Sequence, residues 1–425
     1  MHRMEIAVVG AGYVGAVTGA GLAGLGHRVS FVDRDEGVVE RLKQGAVGFF
    51  EPGLGELLAE NRERIGAGTD LAAAIAASDL TFLCVGTPSR PGGWCDLRAV
   101  RGASREIGAA LAGSGRGHTL VVKSTVPPGT TAGVIRPAVE GAAGRGPGEG
   151  LRVLVNPEFL REGSAVQDFF SPSRIVIGSD EPAGTEVLDR LYEGFSCPVV
   201  RCGCSTAEMI KYSSNAMLAV RISAANEIGR FCKALGIDAA EVMRAVGLDD
   251  RIGPSFLNTG LGFGGSCLPK DVRALVELGR SLGQEPALLS AALAVNDGQP
   301  AALLDLVEAR IGCAGRRIGV LGLAFKPGTD DVRESRAVPV IRGLLERGAT
   351  VVAYDPLAMD RFRPLFPGIE YAATPGEMLA SVDAVVIATE WPEFEDLDYG
   401  GLAVFDGRRC ERARKTARLY EGLCW

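Results

Sequence analysis

Residues 4–15 read MEIAVVGAGYVG, and this stretch decides the fold. A short apolar run leads into a glycine-rich turn made of Gly10, Ala11, Gly12, Tyr13, Val14 and Gly15. A helical segment follows, and then a second apolar run, RVSFVDRD, that we expect to end as a strand at Asp33. This order predicts a βαβ unit that carries the dinucleotide-binding fingerprint.

The same turn predicts the cofactor. Its glycines permit a tight turn and let a pyrophosphate approach the helix N-terminus, where free N–H groups favour anions. Asp33 would accept hydrogen bonds from the ribose hydroxyls and would repel a 2′-phosphate, which favours NAD over NADP, although Arg34 weakens that preference slightly. The next strand, LTFLCVGTPS, brings Thr87 and Pro88 to the strand end where α/β sheets bind ligands.

Length and composition exclude several classes of protein. The chain has 425 residues, enough for two or three domains, and its net charge of -7 argues against a nucleic-acid partner. We find no apolar run long enough to cross a bilayer and no signal-peptide pattern, so we expect a cytoplasmic protein without a membrane partner. The ten cysteines are scattered, and the three histidines (2, 27 and 118) lie far from the Cys202/Cys204 pair, so we expect no metal site.

The rest of the chain predicts a helical middle and a second α/β region. A long helix should begin at Ser205, where Glu208 completes the spacing of a capping box, and end near Gly236. Its length favours a link between domains or a dimer interface. The third region repeats the first, with Asp355 in the place of Asp33, but it lacks the full glycine fingerprint, so we expect it to bind something other than a dinucleotide.

The sequence therefore predicts an α/β protein with two Rossmann-like, doubly wound domains joined by a central helical domain. The expected divisions are an NAD-binding domain over 1–203, a helical dimerisation domain over 204–300 and a second Rossmann-like domain with a different ligand over 301–425.

The segment GFGGSCLPKD (262–271) holds the strongest candidate for chemistry. If a helix starts at Pro269, a favoured first helical residue, Cys267 lies at its N-terminus. The helix dipole and Lys270 would then lower the pKa of the thiol and make it a nucleophile, and the glycines before it would let a substrate come close. The alternative is a capping turn with an incidental thiol.

Two further pairs have the spacing of one helical turn. Lys211 and Asn215 share a face of the long helix and could stabilise an oxyanion, or be a solvated lysine beside a polar neighbour. Glu158 and Glu162, in a helical turn expected after the strand in LRVLVNPEFLREG, could divide acid and base roles. The alternative for them is a charged first helical turn.

A basic and acidic segment follows the first strand of the third region. It reads FKPGTDDVRES, and its cations Lys326 and Arg333 could bind phosphates. The alternative is a loop held together by salt bridges.

Taken together, these segments resemble the UDP-glucose/GDP-mannose dehydrogenase family over nearly the whole chain. The family's motifs occur in its order: GAGYVG, EPGL, VGTP, KSTVPPGT, NPEFLREG, AEMIKYSSN, GFGGSCLPKD and FKPGTDDVRES. NPEFLREGSAVQDF and TEWPEF resemble the branch that acts on UDP-glucose, whereas GGSCLPKDVRAL also resembles the GDP-mannose branch. The run PGGWCDL departs from the family's pattern at Trp94 and Cys95.

The resemblance implies a four-electron oxidation that uses two NAD. The C6 alcohol would become an aldehyde, Cys267 would capture it as a thiohemiacetal, and a second oxidation would give a thioester that water hydrolyses. Lys211 and Asn215 would steady the C6 oxygen, and Asp271 would take the alcohol proton. Thr125 and Glu158 would place the water, with Glu162 in support.

The resemblance also implies the ligand contacts and a homodimer formed through the long helix. The implied cofactor-binding residues are Gly10, Gly12, Tyr13, Val14, Gly15, Asp33, Thr87, Pro88, Thr125, Glu162, Lys270 and Arg333. The implied substrate-binding residues are Glu158, Phe159, Leu160, Lys211, Asn215, Arg251, Phe256, Leu257, Asn258, Gly264, Lys326 and Arg408, the last from a partner subunit.

Two other functions fit parts of the sequence. A two-electron hydroxy-acid dehydrogenase would share the first domain and a helix with the Lys-x-x-x-Asn spacing, but it would need neither Cys267 nor a third region. A non-catalytic NAD-binding protein would leave the candidate catalytic positions without a role.

Overall fold

The computed structural model describes residues 3–146, 148–181 and 184–425. The chain divides into two compact units, Met1–Ser214 and Asn215–Trp425. Each unit is built on one β-sheet. No helix in the described ranges has the length and apolar character needed to cross a membrane.

The first unit contains an eight-stranded sheet with the order β3-β2-β1-β4-β5-β6-β7-β8. The strands are β1 (Glu5–Val9), β2 (Arg28–Val32), β3 (Ile65–Gly68), β4 (Leu80–Leu83), β5 (His118–Val122), β6 (Leu151–Val155), β7 (Ile175–Gly178) and β8 (Val199–Cys202). Neighbouring strands are parallel except that β7 runs antiparallel to β6. The strand order runs from β1 to β3 on one side of β1 and from β4 to β8 on the other, so a topological switch point lies between β1 and β4.

Helices cover the two faces of this sheet. They are α1 (Tyr13–Gly24), α2 (Glu36–Lys43), α3 (Leu54–Glu60), α4 (Leu71–Ala76), α5 (Arg98–Leu111), α6 (Arg136–Ala143), α7 (Ala165–Phe170) and α8 (Glu186–Leu191). A single π-helical turn, Thr131–Ile135, leads into α6. The central strands are apolar on both faces, as buried parallel strands are, and each face packs its own cluster of buried side chains.

The division between the units falls within one long helix, α9 (Cys204–Leu235), of 32 residues. Three more helices follow it in the second unit: α10 (Ala239–Val246), α11 (Leu268–Ser281) and α12 (Ala287–Ile311).

The second unit contains a six-stranded parallel sheet with the order β11-β10-β9-β12-β13-β14. Its strands are β9 (Arg317–Leu321), β10 (Thr350–Tyr354), β11 (Glu370–Tyr371), β12 (Ala384–Ile387), β13 (Ala403–Asp406) and β14 (Leu419–Gly422). Its remaining helices are α13 (Ala337–Glu346), α14 (Met359–Phe362), α15 (Pro375–Ala380) and α16 (Glu411–Thr416). The strand order around β9 repeats the order around β1, so the predicted internal repeat is present.

The predicted fold class is confirmed: two Rossmann-like sheets occur in chain order on either side of a helical region. Two local predictions were wrong. The capping box does not form, because α9 begins at Cys204, whose N–H donates to Asp180 (2.8 Å), while Glu208 binds elsewhere. No helical turn follows β6, since residues 156–164 are irregular up to α7.

Candidate active site

The glycine-rich turn after β1 has the three features that a bound pyrophosphate requires. Gly10 has a φ of +91°, and a Cβ there would lie 2.9 Å from the backbone of Cys84. A Cβ on Gly15 would lie 1.9 Å from the Gly10 carbonyl oxygen, so this glycine lets α1 pack on the turn. Gly12, the N-cap of α1, has no atom within 4 Å of its Cβ direction. The approach to the helix N-terminus is therefore open, as the fingerprint demands.

Asp33 and Asp355 end equivalent strands but have different surroundings. Asp33 is half-buried, and its donors among the described residues are backbone groups nearby, the N–H of Ala11 (2.8 Å) and the N–H of Asp35 (3.0 Å). Asp355 is fully buried, and its own chain surrounds it. Its donors are the N–H groups of Leu323, Ala324, Leu357 and Ala358 and the indole N–H of Trp391. The Asp355 carboxylate therefore stabilises its own loops, whereas the Asp33 carboxylate is placed to accept from a ribose.

Tyr13, beside the same turn, depends on a residue that sequence reasoning missed. Its hydroxyl donates to Glu51, which also accepts from the N–H of Gly163 (2.6 Å) and the N–H of Ala165 (2.6 Å). Burial and the Glu51 carboxylate raise the pKa of Tyr13 well above its ordinary value. Glu51 thus ties the turn after β1 to the segment that contains Glu162. The sequence feature that could have identified Glu51 was its position in the motif EPGL.

The ends of β4 and β5 hold the other cofactor candidates. Thr87 is buried and its hydroxyl donates to the carbonyl of Thr125 (2.8 Å), which fixes the VGTP turn to the KSTVPPGT loop. Pro88 is exposed, and Val14 and Glu162 are half-buried. These positions lie at the carboxyl edge of the sheet, as predicted.

Glu208, on α9, holds the Thr125 loop from its other side. Its carboxylate accepts from the N–H of Gly129 (2.6 Å) and the N–H of Thr131 (2.7 Å), just before the π-helical turn. Burial raises the pKa of this carboxyl above its ordinary value. These long-range bonds are the reason that Glu208 does not cap its own helix.

Glu158 and Lys211 form a buried ion pair in the first unit. The Glu158 Oε1 atom lies 2.9 Å from the Lys211 Nζ, and the other carboxylate oxygen accepts from the N–H of Leu160 (2.6 Å). The Lys211 Nζ lies over the ring of Phe159, 5.5 Å from the ring centroid. The predicted grouping of Glu158 with Glu162 in one helical turn is replaced by this pairing across the unit.

A second buried lysine, which sequence reasoning also missed, lies in the same unit. Lys123 follows β5 and donates to the side-chain oxygen of Asn156 (2.9 Å), which also accepts from the hydroxyl of Tyr192 (2.6 Å). Burial lowers the pKa of Lys123 to about 8. The network joins the ends of β5 and β6 just before Glu158.

Cys267 is the exposed thiol of the second unit. It is the N-cap of α11, which begins at Leu268, one residue before the predicted start, and it is the only one of the ten cysteines classed as exposed. Its sulfur lies 3.5 Å from the Ser266 hydroxyl. The location at a helix N-terminus agrees with the prediction, and the lowered pKa of the thiol stays a prediction.

Asp271, one turn into α11, is the buried acid of this unit. It is 1% exposed, and its carboxylate accepts from the Asn215 side chain (2.6 Å) and pairs with the neighbouring Lys270 ammonium. Asn215 lies one turn after Lys211 on α9. The helix thus carries the lysine in one unit and the amide in the other, four residues apart as predicted.

The glycine run before Cys267 has a packing role that differs from the predicted one. A Cβ on Gly264 would lie 2.3 Å from the Glu334 carbonyl oxygen, and one on Gly265 would lie 2.7 Å from the Phe325 ring. The N–H of Gly265 also donates to the carbonyl of Arg333 (3.0 Å). These glycines are required because the FKPGTDDVRES segment packs against them, and the approach of a substrate to them stays a prediction.

The remaining substrate candidates of the second unit are spread over several loops. Arg251 is exposed, and its guanidinium forms a bidentate ion pair with Asp249. Arg333 forms the same kind of pair with Asp331. Phe256 is exposed with a φ of 62°. Non-glycine residues rarely adopt such a backbone unless the surroundings hold it.

The other candidates differ in exposure. Leu257 is buried against Met243, Asn258 is exposed and Lys326 is half-buried. The Arg408 side chain donates to the Ala388 carbonyl (2.8 Å) and lies 3.4 Å from a Glu390 oxygen.

The described residues form no metal-binding group. Among residues 3–146, 148–181 and 184–425, no three His, Cys, Asp or Glu side chains are placed to hold an ion together. His2, which the sequence analysis considered, lies outside the described residues.

Comparison with known proteins agrees with these features. Three family models match in order: the NAD binding domain of the UDP-glucose/GDP-mannose dehydrogenase family over residues 4–196, its central domain over 205–298 and its UDP binding domain over 319–412.

Individual relatives cover nearly all of the chain. The UDP-glucose 6-dehydrogenase AglM of Haloferax volcanii is 47% identical over 99% of this chain and 100% of its own. The GDP-mannose 6-dehydrogenase of Pseudomonas putida is 37% identical over 99% of this chain and 100% of its own. The solved structure of a UDP-glucose dehydrogenase from Pyrobaculum islandicum is 48% identical, with a TM-score of 0.96 over 100% of this chain and 98% of that one.

The fold, the nucleotide turn and the family's NAD binding domain define an NAD-dependent oxidoreductase. The chain belongs to the UDP-glucose/GDP-mannose dehydrogenase family. The resemblance stated from the motifs is confirmed, and so is the prediction of NAD.

Proposed function

We propose that this chain is a UDP-glucose 6-dehydrogenase that oxidises UDP-glucose to UDP-glucuronate in two steps. The observation that carries the proposal is the exposed Cys267 at the N-terminus of α11, one helical turn from the buried Asp271. A two-electron dehydrogenase needs no such thiol. The identity of 47% to the UDP-glucose enzyme of Haloferax volcanii, against 37% to the GDP-mannose enzyme of Pseudomonas putida, favours UDP-glucose as substrate.

The chain's own groups would carry the chemistry as follows. NAD, when bound, accepts the hydride that leaves C6 in each oxidation. In the first step the C6 hydroxyl also loses its proton, which Asp271 takes through a water or through Lys211, while Lys211 and Asn215 steady the oxygen. Asp271 already accepts from Asn215 at 2.6 Å, so the acid and the amide are held in register before the substrate binds.

Cys267 then retains the aldehyde. Its sulfur adds to the carbonyl carbon, a C–S bond forms, and the oxygen takes a proton to give a thiohemiacetal. Loss of the remaining C6 hydride and of the hydroxyl proton gives a thioester. Water adds to the thioester carbon, the C–S bond breaks, the thiolate leaves with its electron pair, and the carboxylate product forms.

Thr125 and Glu158 are proposed to hold that water, with Glu162 in support. Glu158 is 5% exposed and already paired with Lys211, so bulk solvent is largely kept from its carboxylate. A water at this position would be oriented by fixed groups. Such preorganisation lowers the cost of reaching the transition state.

The ligand contacts are proposals of the same kind. NAD would contact Gly10, Gly12, Tyr13, Val14, Gly15, Asp33, Thr87, Pro88, Thr125, Glu162, Lys270 and Arg333. The sugar nucleotide would contact Glu158, Phe159, Leu160, Lys211, Asn215, Arg251, Phe256, Leu257, Asn258, Gly264, Lys326 and, from a partner subunit, Arg408. The domain divisions 1–203, 204–300 and 301–425 are proposed with them, and the ranges matched by the three family models support them.

We also propose a homodimer formed through α9. Of the large apolar side chains exposed on this helix, four have a spacing that keeps them on one face: Met217 (61%), Ile228 (43%), Phe231 (60%) and Leu235 (73%). Phe231→Glu should convert the dimer to a monomer in sedimentation at micromolar concentration. A wild-type chain that sediments as a monomer would contradict the proposal. A reducing, cytoplasmic setting is proposed as well, since the cysteines form no disulfide among the residues that the structure describes.

The substrate is tested by comparing kcat/KM for three compounds with NAD: UDP-glucose, GDP-mannose and a small 2-hydroxy acid. We expect UDP-glucose to exceed GDP-mannose by at least 100-fold, roughly the 3 kcal/mol that a mismatched binding pocket can supply. Preference for GDP-mannose would move the chain to the other branch of its family with the same mechanism. Turnover of the hydroxy acid alone would contradict the proposal.

A further inference from the structure

Two cations lie over the ring of Phe159, and one of them has no role in the reaction described above. The Lys211 ammonium lies 5.5 Å from the ring centroid, and the guanidinium carbon of Arg174 lies 3.8 Å from it. A guanidinium stacks on an aromatic face through both its charge and its planar π-system. The shorter distance makes Arg174 the principal partner of this ring.

The topology of the first sheet explains why Arg174 reaches this position. Because β7 runs antiparallel to β6, with Val155 opposite Gly178, each step forward from Val155 corresponds to one step back from Gly178. Four steps lead to Phe159 on one side and to Arg174 on the other. The residue just before β7 is therefore a cross-strand neighbour of the ring that follows β6, although the chain after β6 is no longer a strand.

Arg174 has no carboxylate partner among the residues that the structure describes. Its guanidinium donates instead to the hydroxyls of Ser173 (3.1 Å) and Ser214 (2.9 Å), and burial lowers its pKa. Other arginines of this unit pair with acids, as Arg161 does with Asp168 and Arg201 with Asp189. Stacking on Phe159 thus compensates much of the desolvation of this charge.

Two of the three groups that Arg174 contacts, Phe159 and Ser214, adjoin and support the Glu158–Lys211 ion pair. Phe159 is next to Glu158 in the chain, and Ser214 is one turn after Lys211 on α9. The Ser214 hydroxyl donates its own hydrogen to the Ile210 carbonyl (2.7 Å), so its oxygen is free to accept from the guanidinium. A displacement of Arg174 would release both supports together.

We propose that Arg174 is a positioning residue that holds Phe159 against α9 and so fixes the geometry of the Glu158–Lys211 pair. The inference rests on the proposed function, in which that pair steadies the C6 oxygen and the hydrolytic water. It adds a residue that touches neither substrate nor cofactor.

Three variants separate the stack from the charge. Arg174→Met keeps the length of the side chain and removes both, Arg174→Lys keeps the charge and loses the planar stack, and Phe159→Leu removes the ring. Arg201→Met is the matched control, because it removes an arginine of the same unit that pairs with Asp189 on the surface. Kinetic constants for UDP-glucose and NAD and the thermal midpoint are measured for each variant.

We expect Arg174→Met and Arg174→Lys each to lower kcat about 10- to 100-fold, with the KM for NAD within about 2-fold of wild type, because a displacement near 1 Å in a reacting group has effects of this size. The double variant with Phe159→Leu should be no slower than Phe159→Leu alone. Arg201→Met should match wild type.

Unchanged kcat in both Arg174 variants would overturn the proposal. So would a loss of kcat accompanied by an equal rise in both KM values, which is the pattern of general destabilisation. If the wild type does not oxidise UDP-glucose, the proposed function fails. The thermal midpoints still test whether Arg174 holds Phe159 in place. Additive midpoint shifts for Arg174→Met and Phe159→Leu would overturn it, and non-additive shifts would support it.

Discussion

Glu158 and Lys211 form an ion pair at 2.9 Å with each side chain only 5% exposed. Burying both charges is costly, so the pair contributes little net stability, but removing one partner leaves the other charge uncompensated. The pair joins the segment after β6 to the helix α9. Its geometry therefore couples the placement of a carboxylate to that of an ammonium.

Glu158→Gln should separate the stability of this pair from its role in hydrolysis. We expect the free energy of unfolding to fall by about 3 kcal/mol in urea titrations, because the Lys211 charge loses its carboxylate. With UDP-glucose and NAD, the variant should accumulate a covalent adduct on Cys267, seen as added mass in the intact protein. Glu193→Gln, on an exposed side chain, should change the unfolding free energy by less than about 0.5 kcal/mol. Rapid release of uronate by Glu158→Gln would contradict the assignment of the water.

Glu51→Gln should weaken NAD binding. One carboxylate accepts from Tyr13, Gly163 and Ala165, and an amide would turn a donor toward at least one of these donors. A lost charge-assisted bond is worth about 1.5–3 kcal/mol, so we expect the Kd for NADH to rise about 10-fold or more in fluorescence titration. Glu56→Gln, on the exposed face of α3, is the control. Equal NADH affinity in wild type and Glu51→Gln would show that this tie does not shape the cofactor site.

His118 should make the first unit sensitive to acid. It is 5% exposed, its ring nitrogen shares a 2.8 Å hydrogen bond with Thr81, and burial lowers its pKa from 6.5 to about 4. The unfolded chain binds this proton more readily than the folded chain. Stability is therefore fully present above pH 6.5 and is lost as the pH falls toward 4, by roughly 3 kcal/mol.

The measurement for His118 is urea unfolding at pH 7 and at pH 4.5. His118→Gln should be less stable than wild type at pH 7 and should lose less on acidification. The same loss on acidification in the variant and in wild type would assign the acid sensitivity to other groups.

Cys267→Ala should abolish uronate formation and leave NADH affinity within about 2-fold of wild type, because the thiol belongs to the second unit and the nucleotide turn to the first. Cys202→Ala, which removes a half-buried thiol from β8, is the control and should keep full turnover. Unchanged turnover in Cys267→Ala would contradict the covalent mechanism.

Features encoded by short stretches of sequence could be predicted. The strand, glycine turn and acid around Gly10 and Asp33 are local, and so is the spacing of Lys211 and Asn215 on one helix. The repeat of this pattern around β9 followed from the same reasoning. Cys267 was placed at a helix N-terminus from Pro269 alone, with an error of one residue.

Features set by distant parts of the chain could not be predicted. Glu208 has the spacing of a capping residue, yet it binds Gly129 and Thr131, about 78 positions earlier in the chain. The packing of the Glu334 carbonyl against Gly264, about 70 residues earlier in the chain, had no local signal either. Arg174 could be placed only once the antiparallel direction of β7 was known.

The most direct test of the central claim is the number of NADH formed per UDP-glucose consumed by the pure wild-type protein. The account predicts two, with UDP-glucuronate as the product. One NADH per UDP-glucose, with the aldehyde released, would contradict it, because Cys267 would then not retain the intermediate for a second oxidation.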